Sequence, residues 1–508
     1  MGNAIGNSGR PAARWHCLGL AFFWASSMLT FRSSILLTGA ADTPESNTFV
    51  VVVSFVANMT VLFAISALVE KASESVARIP SWAFCAAILA GFVLIRVAGE
   101  PSAGGAMHAM LFLGALLCGI GFGYFWGSWA DVLGRVHPST TTVSIPASFL
   151  LTAVLFVAAT LCVSFAHVPG ILPILPLPVL SLACLEKCRR SEPALEPSPA
   201  SRRYIEAVAS LVPLIIASLV LSCLFGFMWE TAVLSTDTAT QAHEIPLVAN
   251  VVAATVLLVG VLVARRKVDL TLVYQVLIPI SILSFLAIPF LWHDQPVALN
   301  AVISAIYGVF DVIIWYMVVS CSYDFTVSGF VVGGIVRGVS LLSRLVGIGI
   351  GSLIMMVPDA GNDAMVGMSI GAVYILAMLL WFLYRNSKQK AKVCTTDVNT
   401  TDLEASGEAP AADCPSASGS EGSEGDASAS QGDASEDDEE KMRVIAEDFG
   451  LTRREAEVLP YLARGRSAKV IAGALFVSEP TIRTHTRHIL EKTCLHSKQE
   501  LIDLIDRY

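Results

Sequence analysis

Two sets of residues in this 508-residue chain have the chemistry to act on something. The first lies near the C-terminus. Arg483, Thr484 and Arg487 fall on one outward face of a helix counted from Ser478, with Thr481, His488 and Glu491 beside them. A guanidinium is a planar fork of donors that pairs in bidentate fashion with guanine O6 and N7, and threonine offers a hydroxyl or a methyl contact. The second set is scattered through apolar runs: Arg32, Arg96, Glu230, Asp311, Arg337 and Arg344. A charge at bilayer depth is costly unless it is paired or faces a wet cavity. Arg337 and Arg344 are seven apart and share a helix face, and Asp311 on the preceding run can pair with either. Arg32, Asp311, Arg337 and Arg344 are therefore candidates for binding an anionic or phenolic small molecule. A buried ion pair that fixes helix packing is the alternative.

The elements that position the first set lie within 451–508. Thr452 and Glu455 form a capping box, hydroxyl and carboxylate each bonding the other's backbone amide. Val458, Leu459 and Leu462 follow at helical spacing and end at Gly465, a C′ turn residue. Ser467 opens a second short helix carrying Val470, Ile471 and Leu475. Ser478 caps a third, Glu479–Thr493, in which His485 faces inward as a core residue. Ser497 and Glu500 form a second capping box ahead of a final helix with Leu501, Leu504 and Ile505. Four short capped helices, the middle two joined by the tight Phe476–Val477 turn, are the layout of a helix-turn-helix, whose third helix enters the major groove.

This stretch closely resembles the DNA-binding domain of LuxR-type transcription regulators. The resemblance rests on Leu451-Thr452, Arg454-Glu455, Glu457-Val458-Leu459, Gly465, Lys469, Ile471-Ala472, Val477-Ser478, Thr481-Ile482, Thr484-His485, Ile489, Lys492 and Glu500-Leu501, in fixed order. It implies that Arg483, Thr484 and Arg487 read bases. It implies also that Lys469, Thr481 and Lys492 hold phosphates, and that Leu501, Leu504 and Ile505 supply a dimer face. One such module buries little surface, so useful affinity implies two half-sites. The chain departs from the pattern at Pro460, inside the first helix where a kink is expected, and at Thr493-Cys494, where the family has Leu-Gly. Pro480 fits a first helical turn.

The second set sits in a different kind of chain. Apolar residues make up 54% and charged residues only 15%, with the apolar ones concentrated before residue 385 in runs of about 20, the length that crosses a bilayer. Twelve spans are expected, at about 15–38, 48–69, 81–98, 106–129, 143–166, 169–185, 205–229, 246–264, 270–292, 298–320, 329–357 and 366–384. The first is too long for a cleavable signal peptide. Basic residues such as Arg14, Lys71, Arg135, Arg189, Arg265 and Arg385 all fall on one side, and the opposite loops hold no Lys or Arg. The positive-inside rule then places both termini in the cytoplasm, as for a multi-pass inner-membrane protein. The basic loop 186–204 divides the spans six and six. Gly127-x3-Asp131-x2-Gly134-Arg135 resembles the loop signature of the major facilitator superfamily, although it follows the fourth span here and the second in the family. The glycines at 114, 119, 121, 123 and 127 read as close helix packing. Eleven scattered cysteines show no metal-ligand spacing and imply no disulfide framework.

Residues 397–440 carry fourteen acids and no base, whereas 441–508 carry twelve bases and nine acids. With few bulky apolar residues, 385–440 is expected to be a disordered tether reaching about 40 Å. Its acidic run at 435–440 acts either as a spacer or as an inhibitory competitor for the basic helices. No P-loop, HExxH or nucleophile elbow is visible, so no enzyme activity and no cofactor are expected. The expectation is all-α: a cytoplasmic segment 1–14, a transmembrane sensor bundle 15–384, the linker 385–440, and a DNA-binding domain 441–508. Such a chain would be a membrane-embedded one-component transcription regulator in contact with lipid, a small-molecule effector and promoter DNA. It would bind DNA as a homodimer and activate, with RNA polymerase a possible partner. The alternative is a secondary transporter with an accessory DNA-binding tail.

Overall fold

A computed structural model describes residues 9–33, 35–71, 80–166, 168–191, 201–236, 273–291, 296–356, 361–404, 436–475, 477, 479–493, 495 and 498–507. Every regular element among them is helical, and the chain divides into two compact units, 1–384 and 385–508. The first contains α1 Gly9–Phe31, α2 Pro44–Lys71, α3 Ser81–Ala98, α4 Met107–Leu133, α5 Pro138–Ala166, α6 Pro176–Ser191, α7 Ser201–Ser210, α8 Val212–Leu234, α9 Ile278–Leu291, α10 Pro296–Phe325 and α11 Gly329–Met355. Nine helices among the described residues are long and apolar enough to cross a membrane. The expected span 246–264 lies outside the described residues, and the first helix stops at Phe31 rather than continuing to 38. The proline run 173–178 breaks the sixth span into a short turn, Ile171–Ile174, and α6.

Small residues set how closely these helices approach. A Cβ at Gly119 would overlap Ala57 and the Ser54 carbonyl of α2, and one at Gly121 would overlap Ile88 of α3. The α4 glycines therefore serve two neighbours, as the packing reading expects. On the other side of the unit, added methyls at Gly226 and Gly347 would strike the carbonyls of Arg344 and Cys223, so α8 and α11 touch backbone to backbone. Polar pegs cross the apolar core: Trp129 Nε1 donates to Ser181 Oγ at 3.0 Å, and Ser181 donates to the Gly19 carbonyl at 3.0 Å. The 127–135 signature has a clear packing role. Asp131 pairs with Arg135 at 2.5 Å and accepts from Ser328 Oγ at 2.7 Å, while Gly127 leaves room for the Phe330 ring. It thus fastens α4 to the start of α11.

The last helix of the bundle runs on as α12, Gly361–Glu404, so the first twenty residues of the expected tether are helical. No glycine or proline interrupts the sequence between Gly371 and Glu404, and nothing local stops the helix. The acidic run at the other end of the tether likewise belongs to a helix, α13 Glu436–Asp448, where acids near the N-terminus complement the helix dipole. After it come α14 Arg453–Ala463, α15 Ala468–Ala474, α16 Glu479–Thr493 and α17 Lys498–Arg507. Ile445, Val458, Leu459, Ile471, Ile482, Ile489 and Leu501 close a separate small core.

Candidate functional site

In the C-terminal unit, local chemistry builds the helix-turn-helix piece by piece. The capping box is present: Glu455 N–H donates to Thr452 Oγ1 at 3.3 Å and Thr452 N–H to Glu455 Oε2 at 2.7 Å. Helix α14 passes through Pro460 without ending. Gly465 stops it at φ 70°, with Gly465 and Arg466 N–H returning to the Leu462 and Tyr461 carbonyls. Gly450, at φ 58°, ends α13 in the same way. Val477 turns the chain between α15 and α16, buried, with its N–H on the Ala472 carbonyl at 3.1 Å. Where the family glycine is missing, Thr493 Oγ1 donates to Ile489 O at 2.8 Å and Leu495 N–H to Leu490 O at 2.9 Å. Ser478, Ser497 and the Lys469 side chain lie outside the described residues.

Helix α16 presents Arg483, Thr484 and Arg487 to the outside, and Arg487 Nε lies 3.3 Å from Glu491, one turn on. Thr481 is half-buried at the start of the same helix. Lys492 has a structural duty: its ammonium donates to Glu455 Oε2 at 2.6 Å and to the Gly450 carbonyl at 3.2 Å, clamping α16 onto the capping box. A phosphate would compete with those partners. Leu501 and Ile505 are corrected from dimer face to core. They are 0% and 6% exposed because the apolar stripe of α17 turns inward onto α13 and α14. Of the three expected dimer residues, Leu504 alone stays half-exposed.

Arg454 is a residue whose structural role the sequence did not reveal. Fully buried, it pairs with Glu457 at 2.6 Å and donates to the Leu475 carbonyl at 3.1 Å, where α15 ends. His485 packs inward as expected, and burial holds its imidazole at about 4, against an ordinary 6.5. Burial pushes the Glu455 carboxyl up, but bonds from Lys492 and from the Thr452 amide more than offset this and leave it below 4.5. Both depressed values make the fold lose stability in acid. Below pH 6.5 the unfolded chain binds a proton at residue 485 that the folded chain refuses, until about pH 4. Glu455 adds a further loss below 4.5. Urea midpoints of the 436–508 fragment are expected to fall steadily between pH 7 and 4, by about 3 kcal/mol from the histidine alone. His485→Phe should flatten that window, and an unchanged slope would count against the assignment.

In the membrane unit, the four candidate residues come together. Arg32, Asp311, Arg337 and Arg344 line one partly open cavity, with Trp24, Phe31, Phe55, Trp126 and Trp229 among its walls. The lining comes from α1, α2 and α4, with Arg32 just after α1, and from α8, α10 and α11. Arg337 Nη1 pairs with Asp311 Oδ1 at 2.8 Å, so Asp311 chooses Arg337 over Arg344. The Arg344 guanidinium lies 4.1 Å from the Phe225 ring centroid and 5.0 Å from that of Tyr307. The remaining two charges stand apart from the cavity. Arg96 pairs with Glu100 at 2.5 Å near the end of α3. Glu230 is fully buried in α8 and accepts from Thr48 of α2 at 2.9 Å and Ser352 of α11 at 2.8 Å.

Residues 450–505 match the model of the luxR family of bacterial regulatory proteins. Over 53 residues the chain is 47% identical to the oxygen regulatory protein NreC of Staphylococcus carnosus and, to the same extent, to NreC of Staphylococcus aureus. The match covers 10% of this chain and only 24% of those relatives. Among solved structures, the human organic anion transporter MFSD10 superposes with a TM-score of 0.50 at 14% identity, covering 73% of this chain and 99% of that one. The major facilitator superfamily transporter FucP superposes at 0.45, also at 14% identity, over 73% and 98%. The chain thus joins a helix-turn-helix domain that matches the luxR-family model to a bundle of long apolar helices of transporter-like fold.

Proposed function

We propose that this chain is a one-component transcription regulator whose membrane bundle senses an organic anion and whose tethered domain binds promoter DNA. The observation that carries the sensing half is the gathering of three arginines and one aspartate in one aromatic-walled cavity between two sets of helices, α1, α2 and α4 on one side and α8, α10 and α11 on the other. A ligand that bridges lining residues from both sets has different affinity for arrangements in which the sets are nearer or farther apart, which is the requirement for shifting a population. The solved neighbour of similar fold is an organic anion transporter by description, in keeping with an anionic ligand. The distribution of Lys and Arg supports a bundle in the inner membrane with both termini in the cytoplasm, where DNA lies. Dimeric binding to two half-sites and activation through contact with RNA polymerase complete the proposal.

The transporter-like fold also favours the second reading, a carrier with a DNA-binding tail. One experiment separates them. Full-length protein in liposomes, carrying the C-terminal domain outside, is given a set of labelled aromatic acids and upstream DNA. Saturable binding that changes the footprint, with no accumulation inside, is the expected result. Accumulation with an unchanged footprint would make the bundle a carrier.

A further inference from the structure

We propose that Asp311 is a built-in stand-in for the effector's carboxylate: it holds Arg337 in this arrangement and yields it when an organic anion binds. This rests on the anion-sensing reading above and adds how that site is regulated. Asp311 is the one acid among the described residues that line the cavity. Arg337 Nη1 donates to its Oδ1 at 2.8 Å. The two side chains are 15% and 14% exposed, so the pair forms part of the cavity wall. Asp311 also attracts Arg32 and Arg344 through space. Arg344 has a further support in a shelf of Phe225 and Tyr307, whose rings stack with centroids 4.4 Å apart. The Asp311 carboxylate therefore stands at the focus of three guanidiniums, where an incoming carboxylate would be drawn as well.

The geometry of the pair shows why it can be displaced. A carboxylate fits a guanidinium best through two parallel bonds on one edge of the fork. Asp311 is tied to Arg337 by a single bond, and Arg337 Nε, buried, has no acceptor among the described residues. The Tyr307 hydroxyl takes a further bond from the same guanidinium. A buried donor without an acceptor is costly. Asp311 sits on a short side chain fixed to α10 and is held to the angle its backbone allows. A free carboxylate can turn until it takes both Nε and an Nη atom. Two carboxylates crowded on one guanidinium in an apolar wall repel each other, so the better-fitted one excludes the other. The exchange unfastens α10 from α11 at this point. The ligand thus has different affinity for arrangements in which the two helices are clamped or released.

The test uses full-length protein in lipid nanodiscs and calorimetric titration with benzoate and phenylacetate, with benzamide as the neutral comparison. Asp311→Asn should bind at least one of the acids about tenfold tighter than the parent, since one charge-assisted bond no longer has to be displaced. Benzamide should not distinguish the two proteins. Asp311→Glu, which keeps the competing charge, should stay near the parent's affinity. Arg337→Lys, which keeps an ion pair but has no fork, should weaken acid binding about tenfold. Melting separates a stand-in from a pair that only fixes packing. Ligand-free Asp311→Asn should melt below the parent, and saturating acid should raise its melting point by more than it raises the parent's. Acid affinity in Asp311→Asn equal to or weaker than the parent's would overturn the stand-in and leave the anion site in place. Unchanged affinity in Arg337→Lys would do the same, and decides the matter if Asp311→Asn does not fold. Failure of both the parent and Asp311→Asn to bind either acid would overturn the anion-sensing reading as well.

Discussion

Arg483→Ala combined with Arg487→Ala is expected to abolish sequence-specific DNA binding while leaving the domain folded. Both side chains point outward from α16, four residues apart on one face, near the end that a helix-turn-helix directs into the major groove. Each bidentate arginine–guanine pair discriminates by about 1–3 kcal/mol. Loss of two therefore costs roughly 30-fold to 10⁴-fold in preference for the true site over random DNA. Glu491 lies 3.3 Å from Arg487 and turns its fork, so Glu491→Ala should weaken binding far less and through geometry only. Exposed substitutions of this kind change stability by about 0.5 kcal/mol or less. Footprinting on upstream DNA with increasing random competitor reads the first effect, and urea denaturation of the 436–508 fragment reads the second. Unchanged discrimination in the double variant would remove both arginines from the base-reading role. A parallel fall in stability would show that they support the fold instead.

What the sequence disclosed about this domain, and what it withheld, divide along physical lines. Caps were legible because they are local: Thr452 and Glu455 need only each other's amides, and Gly465 needs only its own positive φ. Helix α13 was hidden by composition. Five consecutive acids at 436–440 look like solvated tether, and its anchor to the core is chiefly Ile445, with Met442 and Phe449 packed beside it. Leu501 and Ile505 were misjudged for a related reason. An apolar pair one helical turn apart reads the same whether it meets its own core or a second copy, and only the position of α13 and α14 decides. In the bundle the reverse held. Charges among apolar residues announced the cavity because burying them is expensive, yet their pairing was open, since Arg337 and Arg344 share one helix face and spacing alone does not say which of them Asp311 meets. The Phe225–Tyr307 shelf was not legible at all. Aromatic residues are common in membrane helices, and nothing in their spacing marks two from different helices as stacked.

The second large effect falls on Arg454, whose guanidinium is buried in the core of the C-terminal unit. Arg454→Ala is expected to destabilise the C-terminal unit by about 3–5 kcal/mol, the usual cost of removing one member of a buried ion pair. The guanidinium is 0% exposed and does two jobs: it pairs with Glu457 at 2.6 Å and satisfies the Leu475 carbonyl at 3.1 Å. Deleting it strips the end of α15 of that donor, leaves Glu457 with Arg453 at 3.9 Å, and opens a void where α14 meets the turn into α16. For a domain of about 70 residues, total stability lies near the lower end of roughly 5–15 kcal/mol. At about 4–8 °C per kcal/mol the melting midpoint should fall by more than 10 °C. Arg454→Lys is expected to recover only part of the loss, because an ammonium reaches one partner but cannot fork to both. DNA binding should fail in proportion to the unfolded fraction and return on cooling, whereas the Arg483/Arg487 variant stays folded and non-specific at every temperature. Thermal melts of the 436–508 fragment followed by circular dichroism, paired with gel shifts at 10 and 37 °C, distinguish the two. A fully stable Arg454→Ala domain would mean that the pair with Glu457 gives the fold no net stability, and would shift the burden of positioning α16 onto the Lys492–Glu455 clamp.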